Sequence, residues 1–107
     1  MKLITAIVSK DDATAVQTGL TGNGFSVTRL ATTGGFLQTG NVTFMIAVDD
    51  ESVDEAIGVI SEQSCERKQF VPATATYGMG IANSYPLELT VGGAIVFVQN
   101  IERFEKL

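Results

Sequence analysis

The chain has 107 residues and carries 12 acidic and seven basic side chains, for a net charge of −5. Hydrophobic residues make up 45% of it, enough for the core of one folded domain. The lysines and arginines form no basic patch, which argues against DNA or RNA as a partner. The apolar runs are about a strand long, which argues against a membrane span. The opening MKLITAIVSK lacks the apolar region of a signal peptide, so we expect a cytoplasmic protein.

Residue types exclude several catalytic and metal sites. The chain contains no histidine and a single cysteine, Cys65. This rules out catalytic pairs that need histidine, histidine zinc sites, cysteine clusters and intrachain disulfides. In the absence of the usual general base, Cys65 is expected to be a passive thiol. An enzyme is therefore the least expected class of protein.

The first predicted elements are a strand and a helix. Lys2–Ser9 is rich in β-branched residues with apolar positions on both faces, as is typical of a central strand. Asp11 and Asp12 then mark the start of a helix, in an S-x-x-D pattern that begins at Ser9. The glycines of LTGNGF, residues 20–25, end this helix.

Two further strands and a second helix follow. The segment 25–32 is predicted to be the second strand, and strict alternation over 42–48 predicts the third. Ser52 and Glu55 have the spacing of a capping box at the start of a second helix, which presents one apolar face.

The last third of the chain is less regular. Residues 66–86 have no periodicity and are expected to form a long, flexible loop. Residues 87–98 are predicted to be the last strand, with a bulge or a close backbone approach at Gly92 and Gly93. A short C-terminal turn with Ile101 and Phe104 completes the chain.

This order of elements predicts an α+β fold of the ferredoxin-like βαββαβ type. We expect one domain over residues 1–107, with a four-stranded antiparallel sheet and two helices on one face. Strands two to four carry apolar or small residues on both of their faces. Two helices cover only one face, so the other would be exposed in a monomer, and a homo-oligomer is expected.

The uncharged segment LATTGGFLQTGN, residues 30–41, lies between the second and third strands. It is interpretable as a simple hairpin connection. Its paired glycines also suit a ligand site built from backbone groups, since glycine lets a ligand approach the main chain closely. The residues alone leave both interpretations open.

Three stretches resemble the PII-like cyclic-di-AMP receptors of the PstA or DarA type: KLITAIV, TRLATTGGFLQTGNVTFMIAV and YPLELTVGGAIVFV. The similarity extends over nearly the whole chain. It implies a ferredoxin-like PII core assembled as a homotrimer, which binds cyclic-di-AMP at the clefts between subunits. It also implies signalling through loop rearrangement to a downstream protein that the sequence does not identify, without catalysis, metal or cofactor.

The resemblance also implies a set of ligand-binding residues. A threonine hydroxyl, an asparagine amide and backbone groups would form hydrogen bonds with adenine, and two phenylalanines would contact a base. The neighbouring Arg29 is expected on the opposite strand face, in a structural or surface role. The implied ligand-binding residues are Thr28, Gly35, Phe36, Leu37, Asn41, Ala47 and Phe97.

The chain departs from the family pattern at Gly24, Ser26, Ala47 and Lys106. The family commonly has asparagine, arginine, glycine and glutamine at these positions. The departures favour an alternative function, a PII-like protein-interaction module that has lost or altered its nucleotide specificity.

Overall fold

The computed structural model describes residues 1–32, 40–71 and 87–107. Residues 33–39 and 72–86 lie outside the described part of the chain. Three implied ligand-binding residues, Gly35, Phe36 and Leu37, fall in the first of these gaps.

The main sheet has four strands in the order β2-β3-β1-β6, and all neighbours are antiparallel. The strands are β1 (Lys2–Ser9), β2 (Thr28–Thr32), β3 (Asn41–Val48) and β6 (Ala94–Asn100). The predicted α+β class and the four-stranded antiparallel sheet are confirmed.

Two helices cover one face of this sheet: α1 (Ala13–Gly22) and α2 (Val53–Ser64). Each follows a single 3-10 turn, Lys10–Asp12 and Asp50–Ser52 respectively. Every second side chain of β1 and β3 points towards the helices and packs against their apolar faces. Apolar residues therefore recur at every second position in these strands and at every third or fourth position in the helices. The buried core consists of Ile4, Ala6, Val8, Ala13, Val16, Leu20, Val42, Phe44, Ile46, Val48, Ala56 and Ile60.

A separate two-stranded ribbon lies between α2 and β6 in the chain. It pairs β4 (Arg67–Val71) with β5 (Leu87–Val91) in antiparallel register. Two expectations differ from this result: residues 67–71 form a strand and not a loop, and the last predicted strand is two strands in different sheets. Gly92 and Gly93, both with positive φ, separate them.

The two helices begin where the sequence predicts, but the predicted side-chain capping hydrogen bonds do not form. Ser52 is the N-cap residue of α2 and Asp12 is that of α1, yet neither side chain makes a capping hydrogen bond. The carboxylate of Asp12 pairs instead with Arg67 of β4, at 2.8 Å. In the described part of the chain, no helix is long and apolar enough to cross a membrane.

Candidate ligand-binding face

The sheet has one face without helices, and side-chain alternation decides which residues lie on it. In β3 the core residues are Val42, Phe44, Ile46 and Val48. The intervening residues must therefore point to the other side of the sheet. The strand register extends this helix-free face to the neighbouring strands. Its described members are Leu3, Thr5, Ile7, Ser9, Thr28, Leu30, Asn41, Thr43, Met45, Ala47, Ile95, Phe97 and Gln99.

All four described ligand-binding candidates lie on this helix-free face. Thr28 pairs with Met45, Met45 with Thr5, and Thr5 with Phe97, so one row crosses the whole sheet. With about 4.8 Å between neighbouring strands, Thr28 and Phe97 are roughly 14 Å apart at opposite edges.

The other two candidates lie at opposite ends of β3. Ala47 is two residues from Met45 and is therefore a diagonal neighbour of Thr28. Asn41 pairs with Ser9 and Thr32 and is only 8% exposed. It is six positions from Ala47, roughly 20 Å along a strand. The fold thus brings Thr28 and Ala47 together but leaves Asn41 and Phe97 far from them.

Large apolar side chains on the helix-free face are partly open to solvent. The exposed fractions are 39% for Leu30, 36% for Met45 and 46% for Phe97. They belong to three different strands, so the exposure is spread across the sheet. Several large apolar side chains exposed on one face are typical of surfaces that bind a partner or a ligand.

A cleft of about 310 Å³ opens at the Ala47 end of the sheet. Ser26 and Ala47, two departures from the family pattern, both line it, together with the carboxylate residues Asp49 and Glu55. None of the described residues that line it is a lysine or an arginine. Met1 also lines the cleft, and its positively charged N-terminal amine is 3.0 Å from Asp50, so the two carboxylate residues outnumber the positive charge. The cleft is therefore better suited to an uncharged base than to a phosphate.

Arg29 lies on the helix side of the sheet, as expected. It pairs with the core residue Phe44 in the strand register, and its Nη1 donates a hydrogen bond to Oε1 of Gln17 on α1, at 3.2 Å. This contact ties the edge strand β2 to a helix, which is a structural role.

A polar cluster that the sequence did not predict lies at the base of the ribbon. Arg67 Nη2 lies 2.8 Å from Asp12 Oδ1, and Arg67 Nη1 lies 3.3 Å from Asp12 Oδ2. The hydrogen bond to Asp12 and the negative charge of its carboxylate raise the pKa of Arg67 above its ordinary value. Local patterns give no signal for this pair, because its members are 55 residues apart.

The described cysteine and carboxylates form no metal site. Cys65 is exposed and lines a cleft of about 570 Å³ between the end of α2 and the start of β6. Over the residues that the structure describes, no group of three or more histidine, cysteine, aspartate or glutamate side chains could hold a metal ion.

Comparison with known proteins agrees with the fold. The solved structures similar to this chain include the crystal structure of a functionally unknown protein from Pediococcus pentosaceus ATCC 25745. It is 36% identical, with a TM-score of 0.81, and the match covers 99% of this chain and 96% of that one. A family model described as "Cyclic-di-AMP receptor" matches residues 1–107. The chain therefore belongs to the cyclic-di-AMP receptor family.

Proposed function

We propose that the chain is a single PII-like domain that binds cyclic-di-AMP without catalysing a reaction on it. It works in the cytoplasm as a homotrimer, with the ligand held between subunits, and it signals to a downstream protein through loop rearrangement. The observation that carries this proposal is the separation of the described candidate residues on one helix-free sheet face.

The separation supports a site shared by two subunits. Stacked or edge-on aromatic groups contact each other at centroid distances of about 4.5–7 Å. A base that contacts Thr28 and Ala47 therefore lies beyond the reach of Phe97 and Asn41 of the same subunit, which are roughly 12–20 Å away along the sheet. A neighbouring subunit that presents its own Phe97 or Asn41 would complete the site.

The apolar residues of the helix-free face support the homo-oligomer. Leu30, Met45 and Phe97 together would gain from burial at about 25 cal/mol per Å² of apolar surface. The helices leave this face uncovered, and the side chains described on it are uncharged, so two copies can approach without charge repulsion.

The chemistry of the candidates suits adenine. The Asn41 amide can donate and accept hydrogen bonds, and the Thr28 hydroxyl can do both as well, as an adenine edge requires. Phe97 offers a ring face to a base, worth about 1–3 kcal/mol where stacking occurs. We assign the acidic cleft beside Ala47 to a base and not to the phosphodiester groups.

The alternative is a PII-like interaction module that has lost or altered its nucleotide specificity. The observation that favours it is the cleft at Ser26 and Ala47, which has carboxylates and no described basic side chain where the family commonly has an arginine. This alternative predicts an intact oligomer whose protein partner binds regardless of nucleotide.

Calorimetric titration with cyclic-di-AMP, cyclic-di-GMP and ATP distinguishes the two. We expect saturable heat with cyclic-di-AMP at micromolar protein, and the absence of that heat would refute the receptor proposal. Asn41→Ala should weaken binding at least about tenfold, whereas Arg29→Ala, on the helix side of the sheet, should leave the affinity within about twofold. An equal loss in both variants would remove Asn41 from the site.

The oligomer is tested separately, by light scattering on a sizing column. Met45→Glu places a charge in the middle of the helix-free face and should shift the protein towards monomer. Thr18→Glu places the same charge on the exposed side of α1 and should leave the mass unchanged. A Met45→Glu protein that keeps the trimer mass would show that this face is not the interface.

A further inference from the structure

We propose that the three-residue turn Lys10–Asp12 couples the end of the glycine-rich segment to the base of the β4–β5 ribbon. One end of the turn bonds to Gly40, and the other end bonds to Arg67. The use of this coupling in signalling rests on the proposed function, whereas the coupling itself rests on the contacts described below.

The ribbon end of the turn is held by a two-point ion pair. Both carboxylate oxygens of Asp12 accept from Arg67, at 2.8 and 3.3 Å. The Asp12 side chain is only 8% exposed and that of Arg67 is 48% exposed. A guanidinium bound through two nitrogens has a fixed orientation relative to the carboxylate, so the pair holds the start of β4 close to the turn.

The second strand of the ribbon is tied to the same place. Arg67 Nη1 also donates to the carbonyl oxygen of Cys65, at 3.3 Å, and the Gly93 N–H donates to the carbonyl of Ser64. A Cβ atom on Gly92 would lie 2.5 Å from Arg67 Nη1. In its observed position, the Arg67 guanidinium therefore occupies space that a side chain at Gly92 would fill.

The other end of the turn, at Lys10, is held by a backbone hydrogen bond. The Lys10 N–H donates to the carbonyl oxygen of Gly40, at 3.1 Å, directly before β3 begins. Ser9, the preceding residue, is paired with the candidate ligand-binding residue Asn41. A change in the position of the Gly40 carbonyl must therefore break the Lys10 bond or move the turn.

The turn is too short to absorb such a movement. Only Asp11 lies between the residue bonded to Gly40 and the residue bonded to Arg67. The two contacts thus favour the same backbone position of the turn, and loss of one weakens the other. Coupling of this kind is reciprocal, so a ligand that shifts Gly40 would loosen or tighten the base of the ribbon by the same free energy.

Hydrogen exchange of individual backbone amides, measured by NMR on the ligand-free protein, tests the coupling. Arg67→Gln breaks the pair at its half-exposed partner. We expect the Lys10 amide to exchange about tenfold faster or more in this variant, together with the amides of β4 and β5. The core amides of Ile4 and Ala6 should keep their rates.

Two further variants serve as a second test of the ion pair and as a control. Asp12→Asn breaks the same pair from the turn and should produce the same pattern. Arg103→Gln removes an exposed ion pair, in which Arg103 Nη2 lies 2.6 Å from Glu105 Oε1, and should leave the Lys10 and ribbon amides unchanged.

Two outcomes would overturn the coupling. In the first, Arg67→Gln speeds exchange in the ribbon but leaves the Lys10 amide as protected as in the parent protein. In the second, the Lys10 and core amides accelerate by the same factor, which makes the pair a general stabiliser. Absence of cyclic-di-AMP binding in the titration would instead refute the proposed function, and the ligand-free exchange pattern would still decide the coupling.

Discussion

Replacement of Gly92 by alanine should destabilise the protein more than the same replacement at any open glycine. Gly92 has a φ of +81°, and a Cβ atom there would lie 2.5 Å from Arg67 Nη1 and 2.7 Å from the Cys65 carbonyl oxygen. The arginine is flexible at its far end, but the carbonyl belongs to the backbone between α2 and β4. The substitution must therefore displace main chain as well as the ion pair with Asp12.

Gly24 provides the matched control, because it separates backbone strain from steric overlap. It has a φ of +88°, and a Cβ atom there would have nothing within 4 Å. Gly24→Ala should thus cost only the left-handed strain, about 1–2 kcal/mol. Gly92→Ala should cost a similar strain and a further ~1–3 kcal/mol for the overlap.

Urea denaturation measures the difference between the two variants. Both are compared at equal protein concentration, because the stability of the proposed oligomer would depend on concentration. For a domain of this size, a difference of about 1 kcal/mol also lowers the melting temperature by roughly 4–8 °C. Equal losses in Gly92→Ala and Gly24→Ala would refute the argument from steric overlap. They would mean that the base of the ribbon accommodates a methyl group without cost.

Two further predictions concern the core and the acid side of the pH range. Phe44→Ala should lower the free energy of unfolding, measured by urea denaturation, by about 3–5 kcal/mol, because Phe44 is fully buried in the middle of β3. Phe104 is exposed, so Phe104→Ala should lower it little. Similar losses in the two variants would contradict the assigned core. The Met1 amine, 3.0 Å from Asp50, lowers the pKa of that carboxyl below 3.8 by a hydrogen bond and by its charge. The pair therefore stabilises the fold above that pH and is lost as the pH falls through the lowered pKa. Asp50→Asn should be less stable than the parent near neutral pH, with the difference fading in strong acid; a constant difference would contradict the pairing.

The helices and most strands of the main sheet are predictable because their buried faces require apolar residues at regular intervals in the sequence. The alternation of β3 follows from one face packed on the helices, whereas the other face carries the polar Asn41 and Thr43 and the partly exposed Met45. The spacing in α2 follows from a single buried stripe. The second strand was predicted three residues too early, at Phe25. Phe25 and Val27 do pack against the core, but they do so before the pairing of β2 begins at Thr28.

The ribbon was not predictable by the same logic. Lys68 and Arg67 are exposed at the start of β4, so burial imposes no alternation there. The sequence pattern predicts a strand at β5 but joins it to β6, since Gly92 and Gly93 are compatible with a bulge or a close backbone approach within one strand. The expected close backbone approach at this glycine pair is confirmed at Gly92. The neighbouring ion pair joins residues 55 positions apart and leaves no local signal in the sequence.

For the site, sequence patterns identified a glycine-rich segment but not the face on which the candidates lie. Side chains alternate between the two faces of a strand, so the face of each candidate depends on the register of all four strands. That register places all four described candidates on one side of the sheet: Thr28, Asn41, Ala47 and Phe97. The adjacency of Ser26 and Ala47 in one cleft depends on the chain between α1 and β2, which has no periodic pattern.

The chemistry of the helix-free face bears on how an acidic protein could hold a ligand with two phosphate groups. The side chains described there are aliphatic, aromatic, hydroxyl or amide groups, and none is charged. The nearby cleft has carboxylates, which would repel phosphate at short range. Affinity would then depend on base contacts and apolar burial, with the phosphates facing backbone N–H groups or water, because a backbone donor binds phosphate without a net positive charge. On this argument, serine in place of arginine at Ser26 would weaken phosphate attraction and leave the base recognition that we propose for Thr28 and Asn41 intact.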